Sequence, residues 1–137
     1  MFNFAPGIKV LAFEDPAEPS AVDRVSNKFQ LLPEEYKKLV RSATEIEIEL
    51  ENKSYFRLWG PLGCLEMDEA YSISKHLPGA VPIGDNGGGY VVFYCDGAMG
   101  WGLYCNAYGN LDPNDSIWIS RSLELLLGEQ DGADRLP

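Results

Sequence analysis

Basic residues are scarce in this chain of 137 residues: 11 Lys and Arg stand against 21 Asp and Glu, a net charge of −10. Such a surface repels nucleic-acid phosphate and anionic lipid, so direct binding to nucleic acid or to a membrane is disfavoured. Histidine is scarcer still. His76 stands alone, and any Ser-His-Asp or Cys-His site would have to use it. It closes a helical stretch just before Pro78, where an imidazole beside a helix C-terminus is ordinary. Three widely spaced thiols, Cys64, Cys95 and Cys105, form no Cys-x-x-Cys pair. The paired spacing of a structural zinc site is missing, and the scattered set reads as free, buried thiols. No run of about 20 apolar residues is present, which excludes an evident transmembrane helix. Residues 1–6 lack a basic start and an apolar signal core, so a cytoplasmic protein is expected. On these residues no catalytic group, metal or cofactor is expected.

What is present is a set of periodic segments. Residues 1–19 form an extension in which Ile8 to Phe13 suit one short strand. The spacing Val22, Val25, Ser26, Phe29 predicts a helix capped by Ser20. Leu31 to Arg41 predict another, with Pro33 first, Glu34 and Glu35 at its positive end, and Tyr36, Leu39, Val40 and Ala43 inward. Glu45 to Glu51 alternate strictly. Ile46, Ile48 and Leu50 take one face, and Glu45, Glu47, Glu49 and Glu51 form an outer acidic rail. Ser54 to Gly60 return as the paired strand after a turn at Asn52-Lys53. Cys64 to Leu77 predict one helix with Met67, Ala70, Ile73 and Leu77 on its buried face and Pro78-Gly79 as its stop.

Tyr90 to Cys95 and Trp101 to Tyr108 predict a hairpin. Placing Cys95 opposite Trp101 sorts Val91, Phe93, Cys95, Trp101, Leu103, Cys105 and Ala107 onto a core face. The other face then carries Tyr90, Tyr94, Tyr104 and Tyr108. Asp112-Pro113 predict a helical turn carrying Ile117 and Trp118. Ser120 or Ser122 caps a last helix with Leu123, Leu126 and Leu127 inward and Gly128 as its stop. Residues 129–137 read as a flexible tail. The fold class is α+β, one domain over residues 20–128, with a mostly antiparallel sheet, or a mixed one, flanked by helices.

The densest feature is the glycine stretch Gly84, Asp85, Asn86, Gly87, Gly88, Gly89. A phosphate loop needs amides aimed at the anion, commonly a helix behind them, and in the Walker pattern a Lys. Here Tyr90 and a β-branched run follow instead, and Asp85 would repel phosphate. The glycines therefore read as a structural bend before a strand, allowing positive φ or close backbone approach.

Four segments in order resemble the SUKH superfamily of SMI/KNR-like proteins: "LPEEYKKLV", "YFRLWGPLGCLEMDEAY", "PGAVPIGDNGGGYVVFY" and "LDPNDSIWISRSLELLL". The likeness spans roughly residues 20–127. It departs at Ser42-Ala43-Thr44, where that family often carries Asn-Gly, and residues 1–19 have no counterpart in it. The resemblance implies an α+β fold and a role without catalysis. Bacterial members are immunity proteins that bind a cognate toxin, often a nuclease; fungal members are regulatory scaffolds. A toxin with a basic surface would be captured fast by an acidic inhibitor. The candidate contacts are the rail Glu45, Glu47, Glu49 and Glu51, the helix acids Glu66, Asp68 and Glu69, and the tyrosine face. Two alternatives stand beside this reading: a fungal-type scaffold, and a small-ligand or enzymatic domain built on the glycine loop.

Overall fold

The computed structural model describes residues 3–137; Met1 and Phe2 lie outside the described residues. Seven strands form a single sheet in chain order: β1 (Lys9–Glu14), β2 (Thr44–Glu49), β3 (Tyr55–Leu58), β4 (Val81–Asp85), β5 (Tyr90–Gly97), β6 (Gly100–Ala107) and β7 (Ile117–Ser120). Every neighbouring pair is antiparallel. The helices are α1 (Pro19–Lys28), α2 (Glu34–Val40), α3 (Pro61–Tyr71), α4 (Ile73–His76) and α5 (Leu123–Glu129). The α+β class holds, with an antiparallel rather than a mixed sheet.

The β2–β3 hairpin follows its sequence pattern. Ile46 pairs with Leu58 and Ile48 with Phe56 on one face, while Glu47 meets Arg57 and Glu49 meets Tyr55 on the other. The apolar face packs under α2 and α5, where Leu39 and Leu127 border the same small void as Ile46, Ile48, Phe56 and Leu58. Tyr36, Leu39, Val40 and Ala43 are buried as their spacing predicts, and so are Leu123, Leu126 and Leu127. Glu35 has a role beyond its own helix. Its carboxylate accepts from Tyr94 Oη at 2.5 Å, from Leu123 N at 2.8 Å and from Glu124 N at 3.1 Å. It thereby caps α5 from across the core, beside Ser122, whose hydroxyl accepts from Leu125 N.

Several expectations are corrected. The first helix begins at Pro19, not after a Ser20 cap: Glu18 precedes it and supplies no side-chain bond, because proline itself presets the first turn. The long helix from Cys64 breaks at Ser72, which lies at φ 52°. Asp68 accounts for the break. It is buried, takes Ser74 N at 2.7 Å and Ser74 Oγ at 2.8 Å, and pairs with Lys28 at 2.9 Å. The inward face of α3 is thus Pro61, Cys64 and Asp68, while Ala70 is exposed.

The β5–β6 register is one residue from the expected one. Gly97 pairs with Gly100, which leaves a two-residue turn, and Asp96 rather than Cys95 stands opposite Trp101. A one-residue slip inverts every facing. Tyr104 consequently shares a face with Phe93, their rings 6.3 Å apart, whereas Tyr94 stacks on Trp101 at 5.9 Å on the opposite face. Trp101 is 37% exposed instead of buried. Cys95 and Cys105 also separate onto opposite faces, and all three cysteines are free. Burial pushes the thiols of Cys64 and Cys105 up to about 12 and that of Cys95 up to about 11.

Two strands lie where none is expected. Val81–Asp85 forms β4 within the glycine-rich stretch, and Ile117 and Trp118 belong to β7, not to the 3-10 turn Pro113–Asp115 that Asp112 caps. α5 continues past Gly128 and ends at Gln130, in the left-handed region. Residues 130–137, expected to be flexible, pack back on the domain. Gln130 bonds Glu51 N and Pro6 O, Asp131 accepts from Ser120, and Arg135 donates to Ile119 O. Ala133 and Leu136 are buried. Gly132 permits this return: its φ is +85°, and a Cβ there would lie 1.9 Å from Ile119 O.

Candidate partner-binding face

The second face of the sheet divides in two. Over β5–β7 it is covered: Leu77, Pro78 and Ala80 and the segment 113–116 lie beside Phe93 and Tyr104 around a cavity of about 310 Å³. Over β2 and β3 it stays partly open and carries Glu45, Glu47, Glu49, Tyr55 and Arg57, with Asp85 opposite Arg57 at the end of β4.

The acids on this face are arranged rather than merely solvated. Glu49 lies 3.9 Å from Lys9 and 3.5 Å from Lys53. Glu47 accepts from Tyr55 Oη at 2.6 Å. Glu45 lies 3.7 Å from Arg57 Nε, and Glu45 Oε2 and Arg57 Nε are both buried without a hydrogen bond among the described residues. Burial raises the carboxyl of Glu45 above its ordinary range, against the pull of Arg57. Burial, then the Glu47 hydrogen bond, push Tyr55 up to about 12. Glu51 stands past the end of β2 and is held by Gln130 Nε2 at 3.1 Å. The rail is therefore three glutamates long, and each faces a cation or a hydroxyl.

The other expected contacts scatter. Glu66 and Glu69 are exposed on the outer side of α3, whereas Asp68 is the buried anchor already described and offers nothing to a partner. The tyrosine face does not exist as a unit. Tyr94 and Tyr104 are buried, with their hydroxyls bonded to Glu35 and to Gly100 O. Tyr90 is half-buried on the Tyr94 side, and Tyr108 is half-buried away from it. Tyr108 instead meets Tyr71 at a ring distance of 4.5 Å, and its buried hydroxyl has no hydrogen-bond partner among the described residues. Burial and then the charge of Asp85 raise the pKa of its phenol, so the neutral hydroxyl is favoured. Tyr55, Arg57 and Tyr71 are site residues that the sequence pattern did not single out. Strict alternation along β3 was the available signal for the first two, since it sets Tyr55 and Arg57 opposite the glutamates.

The glycine loop closes on itself beside this face. Asp85 Oδ1 accepts from Gly87 N, and Asn86 Oδ1 accepts from Gly88 N and Tyr90 N. Asp85 Oδ2 takes Trp59 Nε1 at 2.7 Å, and Asn86 Nδ2 reaches Pro137 O. These three amides are already engaged, so the loop offers none of them to an anion. Gly84 is there for space: a Cβ would lie 2.3 Å from Arg57 O across the ladder. Gly87 and Gly89 take φ of +72° and +92° at the turn.

Among the described residues no cluster of His, Cys, Asp and Glu is placed to hold a metal ion, and no helix is long and apolar enough to cross a membrane. The exposed His76 lies at the end of α4, with Nδ1 2.8 Å from Ser72 O. The fold and this face define an acidic α+β domain with a half-open antiparallel sheet. No protein-family model matches the sequence, and no curated protein matches it significantly.

Proposed function

We propose that the chain is a non-catalytic protein-binding module of the SUKH immunity type, which binds and neutralises a cognate bacterial toxin through a basic surface of that toxin. The observation that carries this reading is the partly open β2–β3 face with Glu45, Glu47, Glu49 and Asp85, on a chain of net charge −10. Opposite fields steer encounter and raise association rates, and acids held in fixed positions lose little side-chain freedom on docking. Tyr55, bonded to Glu47, adds aromatic area beside the acids, as interface cores favour. A nuclease is the toxin class suited to this face, because the basic surface that holds nucleic acid is complementary to it.

The test is co-expression with the product of the neighbouring gene, the expected toxin, followed by binding kinetics at several salt concentrations. Glu47→Lys with Glu49→Lys is expected to slow association about tenfold or more at low salt and to flatten its salt dependence. A tight complex whose rate and salt slope ignore both substitutions would place the contact elsewhere. Failure of the neighbouring toxin to bind at all would remove the immunity reading.

A further inference from the structure

The two edges of the sheet are treated differently. At β7 the chain returns to cover the edge: Arg135 caps Ile119 O at 2.7 Å and Gly132 lies against the same carbonyl. At β1 all six residues are exposed, including Val10 at 45%, Leu11 at 53% and Phe13 at 62%. Open strand edges with apolar side chains are templates for pairing, and proteins usually blunt them. β1 does carry bulges, between Val10 and Ala12 and between Ala12 and Glu14. These bulges have a further effect. In a regular strand Val10 and Phe13, three apart, would point to opposite faces. Here both line one apolar cavity of about 240 Å³ with Leu39, Ala43 and Ile46.

We infer that β1 is the contact edge for a second copy of this chain, paired antiparallel about a two-fold axis between Leu11 and Ala12. This register sets Lys9 of each copy opposite Glu14 of the other, Val10 opposite Phe13, and Leu11 opposite Ala12. The strip K-V-L-A-F-E is thus self-complementary in charge as well as in apolar side chains. Paired residues of a two-fold antiparallel ladder must share a face, and the shared cavity shows that Val10 and Phe13 do. The two cavities then meet across the axis and give each Phe13 ring an apolar neighbour in the other copy. The strip holds one cation and one anion. Glu47 and Glu49 of each copy stand one strand inward, opposite Ala12 and Lys9, and salt, which screens charge beyond roughly 8 Å at physiological strength, reduces their repulsion across the pair.

Sedimentation equilibrium on the whole chain tests this. The average mass should rise from 15.2 kDa toward twice that across the micromolar range. Lys9→Glu and Glu14→Lys should each weaken self-association about tenfold, because each reversed contact occurs twice in the pair. The doubly exchanged protein should regain it, and an equimolar mixture of the two single variants should associate more tightly than either alone. That pattern depends on the register and would not follow from a general loss of stability. A chain that stays monomeric, leaving the edge to a strand of another protein, overturns the inference. So does a dimer that ignores these charges or whose singly reversed variants fail to rescue each other.

Discussion

Removing the carboxylate of Glu35 should cost more than its half-buried position suggests. Three donors converge on it: Tyr94 Oη, Leu123 N and Glu124 N, at 2.5, 2.8 and 3.1 Å. In Glu35→Ala the exposed amide of Glu124 can turn to water and that of the buried Leu123 loses its cap, a loss of about 1 kcal/mol or more. The hydroxyl of Tyr94 cannot turn to water, because the residue is 1% exposed. A buried donor left without a partner costs about 1–3 kcal/mol. The sum is about 3 kcal/mol, a large share of the roughly 5–15 kcal/mol that holds a domain together. Urea titration at constant m-value would measure it directly, and the thermal midpoint should fall by about 10–15 °C. Tyr94→Phe supplies the decisive control. It removes the orphaned hydroxyl, so the double variant should be about 1–2 kcal/mol more stable than the two single losses add up to. A loss below about 1 kcal/mol, or strict additivity, would refute the idea that Glu35 joins α2, β5 and α5.

Two further outcomes follow from buried carboxylates. Asp68→Ala should destabilise by about 2 kcal/mol or more by freeing Ser74 N and Oγ, while Lys28→Ala, whose side chain is 40% exposed, should cost under about 1 kcal/mol in the same denaturation assay. Glu45 binds its proton more tightly in the folded chain than in the unfolded one. Its contribution is therefore favourable below the ordinary carboxyl range and is lost as pH rises through the raised folded value. Glu45→Gln should raise the thermal midpoint near neutral pH, and the gain should vanish below about pH 4, where the unfolded carboxyl is protonated too.

The parts of the fold legible in the sequence are those whose pattern is local. The β2–β3 hairpin and the inward faces of α2 and α5 follow from alternation and helical spacing alone. β4 was masked by its own composition, since Pro82 and Gly84 are residues that a strand interior ordinarily avoids. β7, four residues long, is too short for its period to outweigh the helical cap beside it. The β5–β6 slip came from the turn. Gly97-Ala98-Met99-Gly100 admits two loop lengths, and only the contacts of Phe93, Tyr94 and Trp101 with their neighbours select between them. The acidic face was legible in outline through its glutamates. Its cations, its tyrosines and the burial of Asp68 depend on contacts between distant segments, as does the docking of residues 130–137.

The position of β1 bears on how the molecule opens. Among the described residues it pairs with β2 alone, its side chains are exposed, and two helices separate it from β2 in the chain. Detaching it breaks one bulged ladder and uncovers little of the core, whereas β5 and β6 lie between partners with most of their residues buried. Amide protons along the β1–β2 seam thus exchange through a small local opening, and those of the central hairpin await unfolding of the whole domain. Docking a second strand on that edge would close the seam, so assembly would slow exchange at β2 as well as at the contact itself.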